Sequence, residues 1–261
     1  RDLAGVVLAA APSSARVRQP DTITRYPVFA GPGFDLSAPG WNETTRVLYD
    51  EPDELQGIVP SDFDLDTIVD IIEDFPFRDD ASRANLIGLM LTPLIRPAVD
   101  VVPLHLVQSS IERTGKGMLI NAALGHAVLG GPVPSVQIGE REEEREKRFT
   151  TLILEGATIV HLDNLPSGSV LDSPSLCALT TSPTWKGRTL GVSEMPTLPN
   201  TITLVASANN LRSTGEVAKR IVPIWLQPTT DRPEMRSDFQ HPNICAYAGT
   251  RRKEVLGVLL G

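Results

Sequence analysis

Five residues, Arg113-Thr-Gly-Lys-Gly117, carry the clearest chemical signal in the chain. They follow the apolar run Val102-Pro-Leu-His-Leu-Val107 and open the helical stretch Met118 to Leu129. Strand, glycine-bearing turn and helix in that order make an anion site. The N–H groups of a helix start face the anion, glycine lets the backbone approach, and a lysine reaches the β/γ-phosphates of a nucleotide. Two positions depart from the usual phosphate loop: Ser110 stands where the first glycine is expected, and Gly117 where a magnesium-binding Ser or Thr is expected. Taken alone, the tetrapeptide Thr-Gly-Lys-Gly also suits a surface turn.

Two further strand ends suit the same chemistry. Thr158-Ile-Val-His-Leu162 runs into Asp163-Asn164, which puts a carboxylate where a magnesium-associated Walker B residue would stand. Thr201-Ile-Thr-Leu-Val205 runs on to Ala206-Ser-Ala-Asn-Asn210, which puts amides where a γ-phosphate is sensed or a water oriented. Ligands of open α/β sheets collect outside the C-terminal strand ends, so three such ends are more informative together than singly. Each pair also reads, by itself, as an ordinary strand-to-turn transition. Arg220 closes the helical Gly215-Glu-Val-Ala-Lys219 and immediately precedes the strand Ile221-Val-Pro-Ile-Trp-Leu226. An arginine there has the reach to stabilise charge on a neighbouring subunit's γ-phosphate. It reads equally as a surface arginine at an exposed helix end.

The scaffold that must position these groups is legible as alternation. Beyond residue 100, strand-like runs alternate with helical ones, including a charged helix over Glu140 to Leu154 whose Glu-to-Lys/Arg spacings allow i,i+4 pairs on a solvated face. That pattern predicts an α/β fold with a mainly parallel sheet flanked by helices. The Ser-, Pro- and Thr-rich stretch from Pro166 to Asn200 is too long for a bare loop, so a short helix is expected around Ser175 to Thr181 and a hairpin near Lys186 to Pro196. Upstream, Ser61 and Asp62 are expected to cap a helix carrying Phe63, Leu65, Ile68, Val69, Ile71 and Ile72 and ending near Phe75-Pro-Phe77. A second helix is expected from Asp79-Asp-Ala-Ser82 to about Thr92, with Pro93 and Pro97 disrupting the chain beyond it. Before that, Thr22 to Phe29, Ala30-Gly-Pro-Gly33 and Ala38-Pro-Gly-Trp41 read as short β-prone pieces between turns. The expected division is a small β-rich segment over 1–55 and an α/β domain over 56–261.

Composition bounds the function classes. Apolar residues at 41% and charged residues at 21% fit a soluble globular domain. No stretch has the roughly 18 apolar residues of a membrane span, and the run Leu3 to Ala11 is too short for one, although it looks somewhat like a signal peptide. Cys177 and Cys245 stand too far apart to be a ligand-spaced pair, so neither a disulfide framework nor a zinc site is indicated and a cytoplasmic protein is expected. A net charge of −8 argues against a broadly basic nucleic-acid face, while leaving room for a few basic residues lining a ring's channel.

Several segments in combination resemble the helicase-like AAA+ ATPase domains of phage and plasmid primase-helicase or replication proteins, P-loop NTPases allied to the superfamily 3 helicases. The carriers are Phe75-Pro-Phe-Arg-Asp-Asp-Ala-Ser-Arg83, Arg113-Thr-Gly-Lys-Gly117, Leu154-Glu-Gly-Ala-Thr-Ile-Val-His-Leu-Asp-Asn164 and Thr181-Ser-Pro-Thr-Trp185. To these add Leu190-Gly-Val-Ser-Glu194, Leu198-Pro-Asn200, Ala208-Asn-Asn-Leu211 and Ala218-Lys-Arg-Ile-Val-Pro-Ile224. The resemblance covers about residues 31–259 and implies an ASCE-type P-loop fold with ATP held by Arg113 to Met118, including Thr114, Gly115, Lys116 and Gly117. It implies Lys116 as the Walker A lysine, Asp163 as the Walker B ligand of Mg2+, Asn209 as the sensor with Asn210 as its fallback, and Arg220 as an arginine finger. Lys186 and Arg188 lie in the insertion where similar motors present a pore element to single-stranded DNA. Such domains form rings, commonly hexamers, are often fused to a primase module, and work with other replication proteins.

The departures bear on rate. Asn164 stands where a glutamate commonly polarises the attacking water, and an amide is no general base. Three readings are open: a motor ATPase moving on DNA, a nucleotide-dependent assembly or loading module with little turnover, and a scaffold whose phosphate loop is a relic.

Overall fold

In the computed structural model, residues 20–62, 64–138, 141–165, 170–187, 195–230 and 232–261 are described. The centre is a five-stranded parallel sheet built from β6 (Leu104–Ser109), β7 (Ser135–Val136), β8 (Ile159–Leu165), β12 (Thr203–Asn209) and β14 (Ile221–Leu226). Its spatial order is β14-β6-β12-β8-β7, with every neighbouring pair parallel. Apolar side chains leave both faces of these strands, as a sheet covered on both sides requires. Val107, Ile159, Val205 and Ile224 join one core, while Leu106, Val160, Leu204 and Ala206 join the other.

The first core is covered by α1 (Asp66–Ile72), α2 (Asp80–Ile95), α3 (Lys116–Ile120) with its continuation, and the C-terminal helices α7 (Ile244–Thr250) and α8 (Arg252–Leu260). The second lies under α4 (Glu142–Leu154), α5 (Pro174–Leu179) and the antiparallel pair β10 (Thr184–Lys186) and β11 (Thr197–Pro199). In the remaining connections, β9 (Val170–Leu171) pairs with β13 (Arg212–Ser213), and α6 (Gly215–Ala218) leads into β14. Near the N-terminus, β5 (Val47–Tyr49) lies between β1 (Thr22–Thr24) and β4 (Gly40–Asn42), and β2 (Phe29–Ala30) pairs with β3 (Asp35–Leu36). Tyr26, Val28 and Val47 from this region enter the first core. Among the described residues no helix is long and apolar enough to cross a membrane.

Several local expectations shift. The first helix starts at Asp66, because the Asp64 carboxylate takes the Asp66 N–H at 3.0 Å while Ser61 N–H is drawn to Gly257 O of α8. Phe63 lies outside the described residues. Asp79 does cap α2, its Oδ1 accepting from Ser82 N–H at 2.8 Å and Ser82 Oγ at 2.6 Å. Pro93 does not end that helix. Leu86, Leu89, Met90 and Leu94 pin the helix into the core on both sides of the proline, and tertiary burial outweighs the one backbone bond it forfeits. The helix after the phosphate-loop candidate is α-form only to Ile120 and then widens into a π-helical run over Asn121–Leu129. There Gly125 permits close approach, since a Cβ on it would meet Gly131 O at 2.7 Å. The hairpin within 166–200 forms from the ends of the expected stretch, Thr184–Lys186 and Thr197–Pro199, and its tip at 188–194 lies outside the described residues, as do Glu140 and residues 1–19. Strand β7 was unforeseen, being two residues long and without periodicity.

Candidate functional site

Strand β6 ends at Ser109, and the chain turns through residues 110–115 into α3. Gly115 takes φ +82° at the helix N-cap, a left-handed conformation that favours glycine, and a Cβ there would lie 3.4 Å from the Phe75 ring. Leu119 N–H is bonded to Gly115 O at 2.8 Å, which leaves the N–H groups of Lys116, Gly117 and Met118 as donors at the helix start. The loop is tied to the next strand end. Asn210 gives its backbone N–H to Ser109 O at 3.1 Å and its Nδ2 to Ser110 O at 3.0 Å.

Three strand ends meet in one crevice of about 500 Å³, lined by Glu112, Arg113, Thr114, Gly115, Lys116, Gly117, Asp163, Ser207, Ala208 and Asn209. Lys116 Nζ donates to Asn209 Oδ1 at 2.6 Å and to Thr114 Oγ1 at 3.3 Å, bridging the α3 N-terminus to the end of β12. Burial lowers the Lys116 pKa below its usual 10.5, and the nearby Glu112 and Asp163 carboxylates oppose that shift.

The approach of β8 to β12 contains a bulge. Leu162 pairs with Ala206 and Leu165 with Ala208, so Asp163 and Asn164 together face Ser207 alone. Ser207 Oγ donates to Asp163 Oδ1 at 2.9 Å and lies 2.9 Å from Nε2 of the buried His161, whose ring is 3.7 Å from the same carboxylate oxygen. Burial holds the His161 pKa below 6.5 against the pull of Asp163.

The donor set fits magnesium in one particular way. Among the described residues there is no group of three or more His, Cys, Asp or Glu able to hold an ion by itself. Asp163, its side chain 49% exposed and opening on the crevice, offers a hard oxygen ligand. One carboxylate plus phosphate oxygens and retained waters is how magnesium is commonly bound beside a nucleotide.

Of the residues singled out in the sequence, Arg113, Thr114, Gly115, Lys116, Gly117, Asp163 and Asn209 line this crevice together. Met118 stands in the same helical turn but is 54% exposed and is not part of the lining. Asn164 follows Asp163 in β8, and its side chain is outside the described residues. Asn210 holds the Ser110 carbonyl rather than Lys116. Arg220 lies outside the crevice of its own chain, where its guanidinium bonds the Glu216 carbonyl and, at 3.0 Å, the Glu216 carboxylate. Lys186 is exposed on β10, and Arg188 lies outside the described residues. Sequence reasoning missed Glu112, Ser207 and His161. The signal for His161 was present, since a strand's period of two sets it on the same side as Asp163.

No family model matches the sequence, and no curated protein matches it. Solved structures do. The chain aligns with the A-form apo structure of the NrS-1 C-terminal region at a TM-score of 0.59 and 12% identity, covering 99% of this chain and 58% of that one. Two further apo structures of the NrS-1 C-terminal region match at TM-scores of 0.50, again with 12% identity, 99% of this chain and 59% of the other. At this identity the likeness is one of fold. The chain spans less than two thirds of the length of these neighbours.

Proposed function

We propose that this chain is an AAA+-type, P-loop ATP-binding motor domain, helicase- or translocase-like, acting on DNA in phage or plasmid replication. One observation carries the reading: the Lys116 ammonium bonds Asn209 at 2.6 Å inside a crevice it shares with Asp163. A cation, an amide and a carboxylate from three strand ends thus surround a space beside a glycine-bearing helix start. Strand order supports it, because β12 lies between β6 and β8 and brings Asn209 between the lysine loop and the acid.

In this reading the triphosphate rests on the N–H groups at the start of α3, with Lys116 turning from Asn209 to the β- and γ-phosphates. Asp163 would hold a magnesium ion, whose positive charge would offset the negative charge of the phosphates. Asn209, released by Lys116, orients water at the γ-phosphate. Arg220 exchanges Glu216 for the nucleotide of a neighbouring subunit, so turnover depends on ring assembly, and Lys186 with Arg188 serves single-stranded DNA. The departures at Gly117 and Asn164 favour a second reading, an ATP-dependent assembly or loading module with little hydrolysis.

Turnover of ATP by the full chain, measured with and without single-stranded DNA, separates the two. A rise in rate on adding DNA is expected of the motor. Oligomers that form on ATP addition with a rate indifferent to DNA assign the chain to the second reading.

A further inference from the structure

We propose that Ser207, backed by His161, is a positioning residue that aims the Asp163 carboxylate at the magnesium ion of the bound nucleotide. The inference rests on the nucleotide reading and deepens it. Asp163 sits at the β8 bulge with its side chain 49% exposed, where strand geometry alone does not orient a carboxylate. The Ser207 hydroxyl has one proton and a carboxylate only accepts, so the 2.9 Å bond to Asp163 Oδ1 uses that proton. The 2.9 Å contact between Ser207 Oγ and His161 Nε2 then runs the other way, from a ring N–H to a hydroxyl lone pair.

His161 and Ser207 are each 3% exposed, so this donor chain is built into the sheet and emerges in the crevice at Asp163. With Oδ1 engaged by Ser207, Oδ2 is the oxygen that would be left for the ion. Magnesium demands near-octahedral geometry, and with glycine at 117 in place of a hydroxyl residue the direction of this one carboxylate counts for more. Outer-shell partners of this kind hold a ligand's orientation, and their loss typically lowers metal affinity about 10–100-fold.

Calorimetric titration of ATP into the full chain, once with magnesium and once with EDTA, gives the ratio of the two affinities. Ser207→Ala should lower that ratio about tenfold. Ser207→Thr, which keeps the hydroxyl on a residue suited to strands, should retain the parental ratio, and His161→Leu should lower it in the same direction as Ser207→Ala. Thermal melts without nucleotide report that each variant is folded. An Ala variant with the parental ratio, or Ala and Thr variants that behave alike, overturns the positioning role while the nucleotide site stands. A parent that binds no ATP under either condition overturns the nucleotide reading, and this inference with it.

Discussion

Strand β12 meets a cation at each end, and the two are held in different ways. At its start Arg96, 6% exposed, donates to Val99 O at 2.7 Å, Ile202 O at 3.3 Å, Asp100 O at 3.4 Å and the Asn200 carbonyl. At its finish Lys116 has two partners among the described residues, Asn209 and Thr114, for three ammonium protons. The first cation is spent on the chain's own carbonyls, so it holds α2 and the following turn against the start of the strand. The second keeps a donor in reserve beside open space. The buried Arg96 is enclosed by main-chain acceptors, whereas the half-buried Lys116 faces the crevice.

Breaking the first end should have the largest effect on stability. Arg96→Ala strips the donor from two buried carbonyls, those of Asn200 and Ile202, each costing about 1–3 kcal/mol when left unsatisfied, so urea unfolding should show a loss of about 2–6 kcal/mol. ATP affinity measured below the variant's melting temperature should stay close to parental. A variant that is stable yet loses ATP would mean that the two ends are not separable.

Between the ends, Val205 of β12 is flanked in register by His105 and His161. Burial pushes the His105 pKa down to about 4, and its Nδ1 has no partner among the described residues. The unfolded chain binds a proton below about 6.5 that the native state refuses until about 4, so this contribution is complete above pH 6.5 and is lost as pH falls toward 4. The gap corresponds to about 3 kcal/mol. Unfolding free energies at pH 7 and pH 4.5 should therefore differ less in His105→Gln than in the parent. An equal drop in both proteins would assign the acid sensitivity to carboxylates.

The far end gives the smallest change in stability and the change in function. Lys116→Ala should melt within a few degrees of the parent but bind ATP about 10–100-fold more weakly, the usual value of hydrogen bonds to a charged group. Because the Lys116 pKa is lowered, ATP affinity should begin to fall on the alkaline side before pH 10.5 as the ammonium is lost. In the variant that limb should be absent. Parental affinity in a folded Lys116→Ala protein would remove the basis for the phosphate loop.

How much of this was readable from the chain depends on distance along it. Arg113 to Gly117 lie between a strand and a helix that are their immediate neighbours, so their context follows from local pattern and the conformational freedom of Gly115. The alternation that makes a covered parallel sheet was equally local, and so was the Asp79 cap of α2. The continuation of α2 through Pro93 was not, because burial on both sides of the proline decides it. Strand β7 exists only because β8 offers it an edge. The contacts that make a site are the most distant: Lys116 finds Asn209 across 93 residues, and Ser207 finds Asp163 across 44. The residue types and the strand ends they follow were written in the sequence, but which of them touch was settled by the strand order and by the one-residue slip at Asp163 and Asn164. That slip is a property of two paired strands, and neither strand carries it alone.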